Sequence, residues 1–302
     1  MVRFARLAAI TAALVAALPA IAQAAFPGSN GTIAYTGFPG PGDSEIFSLL
    51  PPVGAPVQLT NDTAGQGEPS YSPSGDRIAF AQSGPGMTAE IWTIRADGGD
   101  PRKITSGHVD AHPAYSPNGR WIVFGRDGGI AKVRTDGSGA RRLTKVNGNK
   151  LYDYQPTWSP NGRLIAFASN RGNPKSAAAD VWTMRPDGSR KRNLTRSKSY
   201  FDVAPDFSPT GGSIVYASER GAHRRIWRMR SNGRGRQRVP ITGTYSEQSD
   251  PAFSPNGKRI AFSSSGQFGP PDGLFTAPAG GGAATPLIAG ADLAGEVTWQ
   301  PR

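Results

Sequence analysis

A closed, all-β, six-bladed propeller of four-stranded blades is the fold this sequence predicts, on three observations. A Ser-Pro-x-Gly quartet recurs at Ser72-Pro73-Ser74-Gly75, Ser116-Pro117-Asn118-Gly119, Ser159-Pro160-Asn161-Gly162, Ser208-Pro209-Thr210-Gly211 and Ser254-Pro255-Asn256-Gly257, in steps of 44, 43, 49 and 46 residues. Steps of that size match one four-stranded blade. Between quartets the apolar residues alternate in short runs, and 39 glycines with 27 prolines demand many tight turns rather than long helices. The two ends of the chain are incomplete in complementary ways.

Each repeat reads in the same order. An inner strand comes first, at Pro69-Ser70-Tyr71, Pro113-Ala114-Tyr115, Pro156-Thr157-Trp158, Pro205-Asp206-Phe207 and Pro251-Ala252-Phe253. Proline cannot donate to a ladder and so suits the open edge of the strand facing a central channel. The quartet is then a hairpin turn, with Pro and Gly where a type I turn accepts them. A second strand follows, for example Arg77-Ile78-Ala79-Phe80, Leu164-Ile165-Ala166-Phe167 and Arg259-Ile260-Ala261-Phe262, and Thr32-Ile33-Ala34-Tyr35 supplies a sixth. Third strands are centred on Ile46, Ile91, Ile130, Val181, Ile226 and Leu274. Asp97-Gly98, Asp136-Gly137, Asp187-Gly188 and Asn232-Gly233 supply the left-handed backbone of the next hairpin. Fourth strands are expected to close on Leu59-Thr60, Ile104-Thr105, Leu143-Thr144, Leu194-Thr195, Ile241-Thr242 and Leu287-Ile288.

The first unit, from Asn30-Gly31, has only its second, third and fourth strands, whereas Val297-Thr298-Trp299-Gln300-Pro301 is a lone inner strand matching Pro156-Thr157-Trp158-Ser159-Pro160. Joining them completes the sixth blade and removes the exposed edges of an open array. A linear solenoid is the competing architecture, but neither end carries a polar cap.

Residues 1–24 read as a signal peptide, leaving a propeller over 25–302. Arg3 and Arg6 precede an apolar run from Leu7 to Leu18, and Ala22-Gln23-Ala24 offers a small-x-small cleavage site. The expected location is periplasmic or extracellular, with no transmembrane anchor after cleavage; a retained anchor is the alternative. The absence of Cys removes disulfides, thiolate metal sites, cysteine nucleophiles and lipid modification together.

The unit Pro-x-aromatic-Ser-Pro-Asn-Gly, Ile-Ala-Phe, Ile-Trp, Asp-Gly, Leu-Thr resembles the WD-like repeat of the TolB propeller family across essentially all of residues 25–302. The resemblance covers the propeller part only, since TolB carries an α/β domain ahead of its propeller. It implies an exported six-bladed scaffold that binds other proteins. Similar repeats occur in prolyl-oligopeptidase-like peptidases, but no Gly-x-Ser-x-Gly elbow is present to expose a nucleophile.

Candidate binding residues come from the loops entering the channel. One position before the inner-strand proline, or before Val297, stand Glu68, His112, Gln155, Ala204, Asp250 and Glu296; three positions before stand Gln66, Asp110, Asp153, Asp202, Gln248 and Ala294. All but the two alanines are polar, and the expectation is that they meet at the channel mouth. Glu68, Asp110, His112, Asp153, Gln155, Asp202, Asp250 and Glu296 form the candidate set. They have two uses: capping buried backbone N–H groups between blades, or facing a ligand. Asp110, His112 and Asp153 are the residues that could make a metal-dependent site. No cofactor is expected on motif grounds, with Ca²⁺ or another divalent ion on carboxylates as the alternative.

Charge separates the two faces. Removing Arg3 and Arg6 lowers the formal net charge of +12 by two, and much of the surplus falls in hairpins at Arg102, Lys103, Arg141, Arg142, Arg190, Lys191, Arg192, Arg234, Arg236 and Arg238. These share a face with Arg77, Arg120, Arg163, Lys258 and Arg259 beside the quartets, so that face should be basic and the opposite mouth more acidic. Tyr71, Tyr115, Trp158, Phe207, Phe253 and Trp299 recur at one inner-strand position, as packing aromatics do, whereas Phe38, Tyr152, Tyr154, Tyr200, Phe201, Tyr245 and Phe268 fall in variable loops where a recognition surface would place them.

The sequence therefore points to an exported, non-enzymatic binding protein, expected as a monomer, that recognises a protein or other envelope component through its channel-mouth loops. The competing readings are a carbohydrate-active lyase or hydrolase with a divalent metal at the mouth, and an anionic-polymer binder using the basic face. Export makes a chromosomal nucleic-acid role unsuitable.

Overall fold

In the computed structural model, which describes residues 26–40, 44–52, 54–145, 151–172, 178–197, 199–244, 247–266, 273–289 and 293–302, the strands form six four-stranded antiparallel sheets. The signal-peptide reading and two of the loop aromatics, Tyr245 and Phe268, lie outside those residues.

Blades 2 to 6 begin with the inner strands Gln66–Tyr71, Asp110–Tyr115, Asp153–Trp158, Asp202–Phe207 and Glu247–Phe253, and each sheet then proceeds outward in chain order. Blade 1 is assembled from both ends of the chain. Leu293–Pro301 is its inner strand and pairs antiparallel with Asn30–Gly37, placing Ile33 opposite Trp299 and Ala34 opposite Thr298.

The core lies between blades. Among the described residues six buried clusters occur, and each mixes the facing sides of two neighbours: Val123, Ile130 and Leu143 of blade 3, for example, pack on Trp158, Ile165, Phe167 and Met184 of blade 4. The closing interface is built the same way, Ile33, Tyr35, Leu49 and Trp299 of blade 1 meeting Ala261 and Leu274 of blade 6. Because neighbouring blades cover both faces of each blade, the second strands are buried as short continuous runs such as Ile78-Ala79-Phe80 and Ile165–Ser169, each large apolar side chain being worth about 1.5–3 kcal/mol when fully buried.

The quartet acts twice. Within a blade, the Gly N–H donates to the Ser carbonyl, as from Gly162 to Ser159 at 2.8 Å, and the Ser hydroxyl accepts the N–H that opens the second strand, as from Leu164 at 2.8 Å. Between blades, each quartet glycine faces the proline of the preceding turn, Gly162 over Pro117, Gly211 over Pro160 and Gly257 over Pro209. Pro301 takes that slot beneath Gly75, and Gln300 Nε2 donates to the Gly75 carbonyl at 2.7 Å, so the C-terminus supplies the missing turn.

The outer strands differ from expectation. They are shorter and mostly earlier, at Val57–Gln58, Arg102–Lys103, Arg141–Arg142, Arg192–Asn193 and Gln237–Arg238. In blades 1 to 4 the Leu-Thr or Ile-Thr pair follows the strand: the Thr60, Thr105, Thr144 and Thr195 hydroxyls accept the N–H groups of Ile46, Ile91, Ile130 and Val181. In blade 5 that place is filled by Val239, whose N–H reaches the Ile226 carbonyl. Pro240 has no N–H to extend the ladder, and Ile241-Thr242 instead runs parallel to Gly282-Ala283 of blade 6.

Candidate functional site

The residue before each inner-strand proline, or before Val297, sits in the left-handed region: Glu68, His112, Gln155, Ala204, Asp250 and Glu296 have φ of 60°, 52°, 50°, 48°, 49° and 47°. All six stand where the inner strand slips register against the second strand, as between Gly67 and Ser70 or Ala111 and Ala114. Such a bulge turns the side chain out of the sheet and into the channel. Left-handed backbone at a non-glycine residue costs about 1–3 kcal/mol and persists when neighbours hold it.

Neighbouring blades hold it here. The N–H of His112 donates to Glu68 Oε2, and that of Ala204 donates to Gln155 Oε1 at 2.9 Å. The Glu296 N–H donates to the Asp250 carboxylate, and the Glu68 N–H to Glu296 and to Thr36 Oγ1. Each acceptor belongs to one blade and each donor to the next, so the polar ring fastens the blades together while keeping unshared oxygens in the channel.

Ring and prolines line a cavity of about 190 Å³. A second tier one turn deeper consists of Ser70, Ala114, Thr157, Asp206, Ala252 and Thr298, and Phe26 and Pro255 line the end toward the quartet turns. The Asp206 carboxylate accepts the Phe253 N–H at 2.8 Å, and burial pushes its pKa up to about 7.

Charge around the ring is one-sided. Asp250, Glu296, Glu68 and His112 are consecutive, whereas Gln155 and Ala204 are neutral. His112 Nε2 stands 3.1 Å from Glu68 Oε1 and 3.7 Å from Glu296 Oε1. Burial, and then repulsion from Glu68 and Asp250, raises the Glu296 carboxyl to about 9; burial likewise raises Asp250. Glu68, His112 and Glu296 each place one donor atom within 4.8 Å of the others.

The two expected sets of mouth residues part company. Glu68, His112, Gln155, Asp250 and Glu296 come together in the channel, but Asp110, Asp153 and Asp202 do not line it. They are buried one layer out, where Asp110 pairs with Arg126, Asp153 with Arg171, and Asp202 with the Ser218 hydroxyl and, at 3.7 Å, with Arg220. Gln66 and Gln248 are buried in the same layer, Gln66 donating to Asp62 and Gln248 accepting the Ile226 N–H. The grouping of Asp110, His112 and Asp153 as metal ligands is therefore replaced, because arginines occupy both aspartates.

Sequence reasoning missed Asp206, Phe26 and Met87. A charged residue among Ser, Ala and Thr at the equivalent inner-strand position was the available signal for Asp206. Met87, 93% exposed, tips a short turn over Pro85–Met87 on the mouth face. Phe38, Val109, Tyr152 and Tyr200 are exposed on loops of that same face, so the mouth carries five of the seven exposed large apolar side chains among the described residues.

A toroid with a polar, blade-locking ring at one mouth and a hairpin face at the other defines a six-bladed propeller with a narrow axial cavity. The family model described as the TolB beta propeller domain matches residues 40–179 and 156–271, and the chain belongs to that family. TolB from Acinetobacter baumannii is similar in structure, with a TM-score of 0.73 at 21% identity, over 92% of this chain and 69% of that one. A putative TolB from Agrobacterium tumefaciens gives 0.66 at 20% identity, over 82% of this chain and 95% of that one. At these identities the likeness is one of fold. Among curated relatives, the uncharacterized protein YidR of Escherichia coli (strain K12) is 30% identical over 80 residues, 26% of this chain and 19% of that protein. The uncharacterized protein Atu1656 of Agrobacterium fabrum is 36% identical over 81 residues, 26% of this chain and 27% of that protein, so the matches span about a quarter or less of either relative. Among the described residues no helix is long and apolar enough to cross a membrane.

Proposed function

We propose that this chain is an exported binding protein, without catalytic chemistry of its own, that captures a protein partner in the cell envelope at the channel mouth. Support comes from one coincidence of position: Phe38, Met87, Val109, Tyr152 and Tyr200 are exposed on loops of the face where the inner strands begin, the face onto which the ring of Asp250, Glu296 and Glu68 opens. Exposed apolar groups rimming a depression lined by carboxyl groups fit recognition of a protein surface that presents an apolar patch around a hydrogen-bond-donating side chain. The cavity, about 190 Å³, admits a side chain or a few waters but is small beside the ~300 Å³ or more of ordinary ligand pockets, which argues against a sugar-chain substrate.

The test is affinity capture from envelope extract by wild-type protein and by Met87→Asp and Tyr152→Asp variants. Recovery of a protein partner by the wild type, reduced at least tenfold in either variant, is expected; equal recovery by all three would overturn the reading. A second reading, anionic-polymer binding through the hairpin face, is favoured by the exposure of Arg102, Arg141, Arg190, Arg234 and Arg236.

A further inference from the structure

We infer that Glu68, His112 and Glu296 form a binding site for one transition-metal dication of the Zn²⁺ type. The donors come from three consecutive blades, each fixed on a left-handed bulge, and His112 Nε2 already lies 3.1 Å from Glu68 Oε1 and 3.7 Å from Glu296 Oε1. Ligands about 2.0–2.1 Å from a tetrahedral ion stand roughly 3.4 Å apart, so two edges of the triangle are near their bound length. The third is at most 4.8 Å and closes with a small change in one glutamate rotamer.

Supporting contacts are in place around the three ligands. Glu68 uses Oε2 to accept the His112 N–H, which leaves Oε1 for an ion; Glu296 is held by the Glu68 N–H and by Thr36. Ligating carboxylates are commonly oriented in this way by outer hydrogen bonds. Asp250 adds a third carboxyl group to the same stretch of the ring. A bound dication would relieve this crowding of carboxylates.

The donor chemistry selects the ion class. One imidazole nitrogen with two carboxylates suits Zn²⁺ and its neighbours, whereas Ca²⁺ takes six to eight oxygens. Three protein ligands leave a position open toward the cavity. An ion here would occupy carboxyl groups of the depression assigned to the partner, but its capture is measured without any protein partner, so a failure of one reading is distinguishable from a failure of the other.

The experiment is isothermal titration of the purified, chelator-treated protein with ZnCl₂ and with CaCl₂, on wild type and on His112→Ala and Glu296→Gln, with circular dichroism to confirm folding. One Zn²⁺ per chain is expected, bound at least tenfold more tightly than Ca²⁺ and weakened at least tenfold by either substitution. Co²⁺ added to the wild type should give the visible absorption of a four- or five-coordinate nitrogen and oxygen site, a readout that needs no variant. Absence of saturable Zn²⁺ binding, tighter binding of Ca²⁺, a six-coordinate Co²⁺ spectrum, or Zn²⁺ affinity unchanged in a folded His112→Ala variant would each overturn the assignment.

Discussion

Asp110 receives the Arg126 guanidinium on both oxygens, Nε to Oδ1 at 2.7 Å and Nη2 to Oδ2 at 2.6 Å, with the carboxylate fully buried. The guanidinium also stacks on Phe124 at 4.9 Å. This pair ties the first residue of one inner strand to the last residue of the strand beside it; in blades 4 and 5 serines stand opposite Asp153 and Asp202, and the arginines that reach them, Arg171 and Arg220, lie two residues further on.

Removing one partner leaves a buried charge uncompensated, so Asp110→Ala is predicted to destabilise the protein by about 3–5 kcal/mol. Replacing both with Leu should recover most of that loss. Urea unfolding of the three proteins checks it; a cost below about 1 kcal/mol for the single variant would show that the pair does not hold the blade.

Asp206 sets a pH dependence. Its folded pKa of about 7 exceeds the ordinary carboxylate value, so between roughly pH 4 and 7 the folded state binds more protons than the unfolded one, and stability falls as pH rises through that window. Asp206→Asn keeps an acceptor for the Phe253 N–H and removes the titration. The variant should be more stable than wild type at pH 8, by about 1–3 kcal/mol, and nearly equal to it at pH 4.5. Thermal unfolding across that range decides, and parallel curves for the two proteins would contradict the assignment.

Ring closure makes Gly75 irreplaceable. Its φ is +72°, and a Cβ there would stand 2.5 Å from the Pro301 carbonyl oxygen. Gly75→Ala should therefore cost more than the ~1–2 kcal/mol of left-handed backbone alone. Gly86→Ala, with φ of +68° and open space around it, gives the backbone cost by itself. Equal losses in the two variants, measured by denaturant unfolding, would show that the C-terminal strand does not seat against blade 2.

The hairpin face offers a contrast in salt dependence. Polyphosphate captured by the exposed arginines should lose roughly tenfold or more in affinity between 50 and 200 mM salt, because charge neutralisation releases counterions. Partner capture at the apolar mouth should change less. Binding measured at the two salt concentrations separates these surfaces.

Much of the fold was legible because the repeating residues carry steric obligations. Gly162 adopts a positive φ over Pro117, and Pro156 sits just after the bulge of the inner strand Asp153–Trp158, where no ladder N–H is required, so their spacing exposes the blades although the strand starts three residues earlier than the proline suggests. The outer strand of blade 5 was misplaced because Ile241-Thr242 matches the repeat by type, while the hydrogen bond that defines the position belongs to Val239. The site was legible in half. Position before proline marked the ring correctly, but Asp110 and His112 look alike as polar loop residues, and only the hairpin register that sets Asp110 opposite Arg126 distinguishes them. Phe26 left no signal, since a single aromatic ahead of the first blade has no counterpart in the other repeats.

Hydrogen–deuterium exchange of the protein with and without its captured partner tests the mouth assignment most directly. Protection is predicted at residues 66–68, 85–89, 108–112, 151–155 and 200–204, with the hairpins at 97–103, 136–142 and 187–192 unchanged. Protection confined to those hairpins would place the partner on the basic face and contradict the account.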